Sequence, residues 1–242
     1  MNKRSQFVKQ LSGSMRKPRW ESYGLNRWRT AARKCAMRFL HRAPLFIKRA
    51  IDVTAAALVL VLASPLFGAI ALLIWLEDKG PVLFWQRRVG LHGAVFDFPK
   101  FRSMVPDAEA KRAALAALNQ HGDGITFKMK NDPRITRIGR VLRRYSLDEL
   151  PQFWCVLRGE MSLVGPRPAL PSEVARYTIA ERRRLDSVPG LTCIWQVSGR
   201  SKLPFPVQCK LDADYIESRS LATDLRLLAH TLPAVITGKG AY

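Results

Sequence analysis

Two adjacent acids, Asp148 and Glu149, occur in the segment RRYSLDELPQ, which begins with a pair of arginines. Such a carboxylate can attack phosphorus or bind a divalent cation, and neighbouring arginines favour phosphate groups as substrates. Ser146 and Glu149 also have capping-box spacing, so the acids could instead cap a helix. Pro151 favours a helix that starts at Asp148, because the proline then falls in the first turn, where its missing N–H is not needed.

A helix start at Asp148 would have a chemical consequence. The positive end of a helix favours the ionised carboxylate, and its free N–H groups can hold a phosphate nearby. An ordinary helix cap has the same sequence pattern. From this segment alone, a structural cap and a catalytic acid therefore both remain open.

A second candidate is Arg167, which stands between two prolines in the segment GEMSLVGPRP. Prolines restrict the backbone on both sides of the arginine, so the turn would hold the guanidinium ready for bidentate contact with a phosphate. The alternative is a rigid surface turn without a ligand. Together with the acid pair, the turn favours chemistry on a phosphate group.

The remaining composition excludes several common classes of protein. The four cysteines and four histidines are scattered, and neither a P-loop nor a GxGxxG motif is present. A disulfide framework, a zinc site and a dinucleotide fold are therefore not indicated. The formal net charge is +21, which favours polyanionic partners such as phosphorylated substrates, anionic lipid or nucleic acid.

The chemical motifs follow an apolar segment, Val53–Leu76, that contains no charged residue. As a helix at about 1.5 Å per residue, 24 residues would extend about 36 Å, enough for a bilayer core of about 30 Å. Ser64 and Pro65 lie at its centre, where proline breaks the helix and the serine hydroxyl can bind a freed carbonyl. The sequence therefore predicts a bent membrane helix, which could span the bilayer or return to the same face.

The sequence before the apolar segment predicts a basic arm, and the sequence after it predicts a separate folded domain. The arm contains fourteen Lys or Arg and one acid within residues 1–49, and we expect it to lie on anionic lipid or to be a disordered tail. Further elements are predicted as follows: a hairpin in 81–105, and helices in 107–120, after Asp132-Pro133, in 170–186, from Cys209 to Arg219 and through 222–236.

Five ordered motifs carry a resemblance to a known family. They are KFRSM (100–104), RRYSLDELPQ (143–152), GEMSLVGPRP (159–168), PGLTCIWQVSGR (189–200) and LDADYI (211–216). With the Ser-Pro break, they make the chain similar to bacterial sugar transferases, the monotopic polyprenyl-phosphate phosphoglycosyl transferases, in their short exopolysaccharide-initiating form. The sequence departs from the family at Cys193-Ile194, where a Gly-Leu or Gly-Trp type pair is usual.

The resemblance implies a mostly helical α+β fold with three parts. These are a basic arm (1–45), a re-entrant membrane helix-break-helix (46–79) and a cytosolic catalytic domain (80–242) with a small β hairpin and amphipathic interfacial helices. It also implies the bacterial inner membrane as the location, with the catalytic domain on the cytoplasmic face.

The resemblance further implies the residues of the site. Asp148 matches the family nucleophile, and Glu149 matches its partner at a Mg²⁺ site. Four basic residues match positions that line the family's substrate pocket: Lys100, Arg102, Arg143 and Arg167.

The implied reaction transfers a sugar 1-phosphate from a UDP-sugar to undecaprenyl phosphate, with release of UMP and a covalent aspartyl intermediate. Glucose or galactose is the expected sugar, and the reaction would be the first membrane step of exopolysaccharide synthesis. The alternative is a catalytically inactive scaffold of a polysaccharide assembly complex. No nucleic-acid partner is expected, because aromatic and basic residues do not alternate as they do in an RNA-recognition motif.

Overall fold

A computed structural model of the chain describes residues 44–115, 129, 132–199 and 203–237. The chain divides into two compact units, residues 1–47 and 48–242. Of the first unit, only the start of a helix is described. The predicted basic arm thus lies almost entirely outside the described residues, as does the end of the helix predicted in 107–120.

The apolar segment forms two helices, α1 (Pro44–Leu62) and α2 (Ser64–Asp78), which meet at an angle of 58°. Proline at position 65 deprives the Val61 carbonyl of its helical N–H partner. The Ser64 hydroxyl donates to that same carbonyl at 2.8 Å and so replaces the missing backbone donor. The predicted bend and the predicted serine hydrogen bond are both confirmed. Within the described ranges, no single helix is long and apolar enough to cross a membrane, whereas this bent pair is, judged by length and composition.

The predicted hairpin is confirmed. Strands β1 (Leu83–Val89) and β2 (Val95–Phe101) pair antiparallel, with Leu83 opposite Phe101. The connecting turn contains His92 in the left-handed region, at a φ of 53°. Phe96 and Phe98 point to one side of β2 and belong to the main core cluster, whereas Phe101 points to the other side and packs against α2. The last residues of β2 lead to the cavity described below.

A second, parallel strand pair was not predicted. Strand β3 (Ser162–Val164) pairs with β4 (Gly190–Thr192), and each has only three residues. Gly165 continues the ladder, because its N–H donates to the Thr192 carbonyl at 3.0 Å. The pair therefore supports the turn that carries Arg167.

The remaining elements are short helices. In chain order these are α3 (Ala108–Leu115), α4 (Arg137–Arg144), a 3₁₀ helix (Leu147–Gln152), α5 (Phe153–Arg158), α6 (Pro171–Val174), α7 (Ile179–Arg182), a 3₁₀ helix (Arg183–Asp186), α8 (Ile194–Ser198), α9 (Phe205–Ser218) and α10 (Leu221–Thr237). The α+β class, mostly helical with a small hairpin, is confirmed, and α9 and α10 correspond to the two predicted carboxyl-terminal helices.

Two helix predictions were wrong. No helix opens at Asp132-Pro133, because the Asp132 carboxylate binds the Arg134 side chain and Thr136 instead caps α4 by accepting from the Gly139 N–H. The segment 170–186 is not one helix either. Thr178 forms a capping box with its own downstream glutamate, which starts a new helix and divides the segment into three short pieces.

The parallel strands approach so closely at Gly190 that a larger residue is excluded. A Cβ atom at this position would lie 2.0 Å from the Gly165 nitrogen. We expect Gly190→Ala to force the strands apart and to cost about 1–3 kcal/mol, which lowers the midpoint of thermal unfolding by several degrees. The matched control is Gly68→Ala in α2, where a Cβ would meet nothing within 4 Å. Equal midpoints for the two variants would contradict this packing.

Candidate active site

The acid pair lies on the 3₁₀ helix Leu147–Gln152 and not at the start of an α-helix. The expectation that this helix begins at Asp148 is wrong, because Ser146 adopts a left-handed conformation, with a φ of 56°, and takes the cap position. Its side chain forms no capping hydrogen bond, so the capping-box alternative is not realised either. This sharp turn after α4 directs the two acids into the protein.

Glu149 lies between two cations that come from different parts of the chain. The Lys100 ammonium, on β2, is 3.3 Å from Glu149 Oε1. The Arg167 guanidinium contacts both carboxylate oxygens: Nη2 bonds Oε1, and Nη1 lies 3.4 Å from Oε2. The hairpin, the 3₁₀ helix and the turn after β3 therefore converge on a single carboxylate.

The two acids have different electrostatic environments. Burial raises the pKa of the Asp148 carboxyl above its ordinary value, although the positive charge of Lys100 opposes the shift. Burial also disfavours the charge on Glu149, yet Arg167 and Lys100 together hold its pKa well below the ordinary range. A buried Asp148 thus stands beside a Glu149 whose ionised form is favoured by Arg167 and Lys100. We expected the positive end of a helix to favour the ionised form of Asp148. In the structure, burial raises the pKa of Asp148 and the neighbouring cations lower it.

Arg88 is a component of the site that was not predicted from the sequence. On β1, Arg87 is exposed and Arg88 points inward, where its Nη1 donates to the Pro168 carbonyl at 3.0 Å. Burial, followed by repulsion from Arg167, lowers the pKa of Arg88 to about 10. Period-two alternation in the predicted hairpin could have indicated that one of these two arginines faces inward.

The acids open into a cavity of about 690 Å³. A cavity of this size accommodates a ligand as large as a nucleotide sugar. Its wall includes all six residues predicted for catalysis and substrate binding, together with Arg88 and, farther away, several aromatic and amide side chains: Trp195, Gln196, Phe205 and Gln208. The candidate site is thus a cation-rich cavity with two carboxylates in its wall.

Arg143 and Arg102, two of the basic residues predicted for the substrate pocket, make different contacts in the structure. Arg143 lines the cavity, and its positive charge favours ionised Asp148. Arg102 also lines the cavity but is buried and forms an ion pair with Asp78 at the end of α2. Its Nε donates to the Pro81 carbonyl. In this structure Arg102 therefore holds the end of α2 against β2, and its phosphate contact stays a prediction.

The acid pair is compatible with magnesium. Within the part of the chain that the structure describes, no group of three or more His, Cys, Asp or Glu residues could hold a metal ion. Magnesium at phosphate-transfer sites commonly uses one or two carboxylates, with water and substrate phosphates completing the shell. Asp148 and Glu149 supply that number of ligands, and the cavity beside them leaves room for a phosphate.

The fold and the cavity define an α+β protein with a cation-rich cavity, two acids in its wall and a bent apolar helix pair. The family model of the bacterial sugar transferases matches residues 43–238. The chain therefore belongs to the bacterial sugar transferase family, as its five motifs indicated.

Named relatives agree with this assignment. The chain is 42% identical over 210 residues to the galactosyl transferase CpsE of Streptococcus agalactiae, with 85% of this chain and 46% of CpsE covered. It is 41% identical over 198 residues to the exopolysaccharide production protein ExoY of Rhizobium meliloti, with 81% and 88% covered. A UDP-glucose:undecaprenyl-phosphate glucose-1-phosphate transferase of Caulobacter vibrioides is 40% identical over 203 residues, with 81% and 72% covered. The chain thus spans less than half of CpsE but most of ExoY.

Proposed function

We propose that this protein transfers a sugar 1-phosphate from a UDP-sugar to undecaprenyl phosphate and releases UMP. The observation that carries the proposal is the buried Asp148 beside an ion-paired Glu149 in a cation-lined cavity. The names of the relatives support the substrate classes, since they include a UDP-glucose:undecaprenyl-phosphate glucose-1-phosphate transferase. Glucose and galactose are the sugars that we propose first.

In the first step, an Asp148 carboxylate oxygen attacks the sugar-bound phosphorus of the donor. The bond from that phosphorus to the bridging oxygen breaks, UMP leaves with the electron pair, and a glycosyl-phosphoryl aspartate remains. Lys100 and Arg167 hold Glu149 charged and place positive charge where the diphosphate must approach. Without these cations, the two acids would repel the donor.

In the second step, an oxygen of the lipid phosphate attacks the same phosphorus. The bond to Asp148 breaks, which regenerates the carboxylate and yields a polyprenyl diphosphate sugar. Each step exchanges one phosphorus–oxygen bond for another, and the protein's main contribution is to position groups and to neutralise charge. Arg88, whose Nε is buried without a hydrogen-bond partner among the described residues, adds another cation to this wall.

We propose Mg²⁺ as the cofactor, held by Glu149 together with Asp148. When bound, the ion would neutralise charge on the phosphate oxygens. Removing it with EDTA should lower UMP release by at least about 10²-fold, because metal charge stabilisation contributes several kcal/mol to such transition states. The measurement is a UMP-release assay with EDTA, with EDTA already saturated by magnesium as the control. Undiminished turnover in free EDTA would contradict a metal requirement.

We propose that α1 and α2 form a re-entrant membrane helix. Both ends of the pair are fixed to the catalytic part of the chain: Arg49 donates to the Val156 carbonyl at 2.6 Å, and Glu77 accepts from the Arg137 N–H at 2.8 Å. Attachment of both ends to one folded body supports the proposal that both ends lie on the same face of the bilayer. Val61 and Leu62, next to the bend, are 70% and 75% exposed, which suits insertion of the bend into lipid.

Helix α4 is the proposed contact with anionic lipid headgroups. Its apolar residues Ile138 and Leu142 pack against Ile70 and Ile74 of α2, so α4 lies beside the inserted helix. Its exposed side carries three arginines: Arg137, Arg140 and Arg144. Arginines at this level attract anionic headgroups. The catalytic domain would then rest on the cytoplasmic face of the inner membrane.

The experiment that tests the proposed function is a donor panel. The chain of residues 1–242 in detergent, supplied with undecaprenyl phosphate and Mg²⁺, should release UMP from UDP-glucose or UDP-galactose and form a lipid-linked sugar. An incubation without undecaprenyl phosphate should release no more than one UMP per protein, because the aspartyl adduct then accumulates. Absence of UMP from every UDP-sugar tested would refute the proposal.

A further inference from the structure

We infer that a buried polar cluster of Lys48, Asp52, Tyr215 and Asp224 positions the Arg167 turn, so that the first membrane helix helps to build the active site. We call these four residues the strand clamp. As far as it concerns catalysis, the inference rests on the function proposed above.

The strand clamp binds the backbone of β3. The Asp52 carboxylate, on α1, accepts from the Leu163 N–H at 3.1 Å. The Lys48 ammonium, also on α1, donates to the Val164 carbonyl at 3.2 Å, and the Tyr215 hydroxyl oxygen lies 3.1 Å from the same carbonyl oxygen. Side chains from α1 therefore bind the last two residues of the strand, and Tyr215 of α9 packs against its end.

Asp224, on α10, links Lys48 and Tyr215, and Asp52 is connected to them through the backbone of β3. Its Oδ2 accepts from Lys48 at 2.5 Å, and its Oδ1 accepts from the Tyr215 hydroxyl at 2.7 Å. Asp52, Tyr215 and Asp224 are each no more than 5% exposed. Buried polar groups that are linked in this way resist displacement, because moving one of them leaves the others without partners.

The network is directly connected to the catalytic cavity. Val164 immediately precedes the Gly165-Pro166-Arg167-Pro168 turn, and the two prolines leave little freedom to absorb a shift of the strand end. On the opposite side, the Gly190 N–H donates to the Pro166 carbonyl at 2.9 Å. The position of β3 therefore fixes where the Arg167 guanidinium meets Glu149.

The Asp52 carboxylate allows a sharp pair of substitutions. Asp52→Asn keeps a side-chain oxygen that can accept from the Leu163 N–H, whereas Asp52→Leu has similar size and no acceptor. We expect Asp52→Leu and Tyr215→Phe each to lower kcat/KM for the UDP-sugar by roughly ten- to a hundredfold, since small misplacements of a positioning group have effects of that size. Asp52→Asn should restore most of the activity.

Two further measurements separate positioning from general loss of structure. In an Arg167→Gln background, adding Tyr215→Phe should cost little further activity. Tyr215 acts by positioning the Arg167 guanidinium, so its loss has no effect once that guanidinium is absent. Hydrogen exchange of the same chain in detergent should become faster in residues 162–168 with Tyr215→Phe, and stay unchanged in the hairpin 83–101. The control is Glu217→Gln, on the same helix, where the exposed ion pair with Arg183 should not affect either measurement.

The outcomes are distinguishable. Additive losses in the double variant, or unchanged exchange in 162–168, would overturn the strand clamp even if the enzyme is active. If the wild-type protein released no UMP, the proposed function would fail, and the exchange comparison would still decide whether the four residues hold the turn.

Discussion

Asp148→Asn should reduce UMP release by about 10⁴-fold or more, which is the scale of loss seen when a covalent nucleophile is removed. The amide cannot attack phosphorus as a carboxylate does, so the first step is lost even if the donor still binds. The substitution hardly changes the size of the side chain, and Asp148 forms no hydrogen bond or ion pair within the described ranges that would be broken. The thermal unfolding midpoint should therefore stay close to that of the wild type.

The matched control is Asp97→Asn. Asp97 is 64% exposed on β2, and its carboxylate lies 3.6 Å from the Arg87 guanidinium. An exposed ion pair of this kind contributes little to the free energy of unfolding. This control should retain full UMP release. If Asp148→Asn kept more than about a tenth of the wild-type rate, Asp148 could not be the nucleophile.

Arg167→Lys should lower kcat/KM by roughly 10²–10³-fold, although the side-chain charge is preserved. The Arg167 guanidinium bonds both oxygens of Glu149, and only a planar fork can do this while presenting a further N–H to a phosphate. A lysine ammonium is a point charge on a flexible chain, so it would hold neither Glu149 nor the phosphate in a fixed position.

The corresponding control is Arg87→Lys on the exposed face of β1, where the side chain is 69% exposed. Steady-state kinetics with the UDP-sugar that the wild type uses would compare the two variants. Near wild-type kcat/KM for Arg167→Lys would mean that charge alone suffices at this position and that the rigid turn has no role in recognition.

Some features that depend on neighbouring residues were predicted from the sequence, whereas the local helix caps at Thr136 and Thr178 were not. The bend follows from Pro65 and the hydroxyl before it, and the hydrogen bond from Ser64 to Val61 is a contact within one helical turn. The hairpin was predicted because residues 81–105 are rich in Val and Phe and contain glycine turns. The acid pair and Arg167 were recognisable because their segments contain unusual combinations of residues.

Features that depend on distant pairing were not predictable in the same way. Strands β3 and β4 have three residues each and lie far apart in sequence, so neither shows a periodic pattern. Lys48 and Asp224 form an ion pair across 176 positions, and no local pattern links them. The 3₁₀ helix at Asp148 was missed for a different, local reason: it follows the left-handed Ser146, a conformation that a non-glycine residue rarely adopts.

The central claim is that Asp148 becomes covalently phosphorylated by the donor. The direct test is to mix the wild-type protein with a UDP-sugar and Mg²⁺ without lipid acceptor, quench it, and measure intact and peptide masses. We predict an increase equal to one sugar phosphate, located on Asp148, that disappears when undecaprenyl phosphate is added and is absent from Asp148→Asn. UMP release with lipid product but no adduct at any time, or an adduct on another residue, would contradict the account.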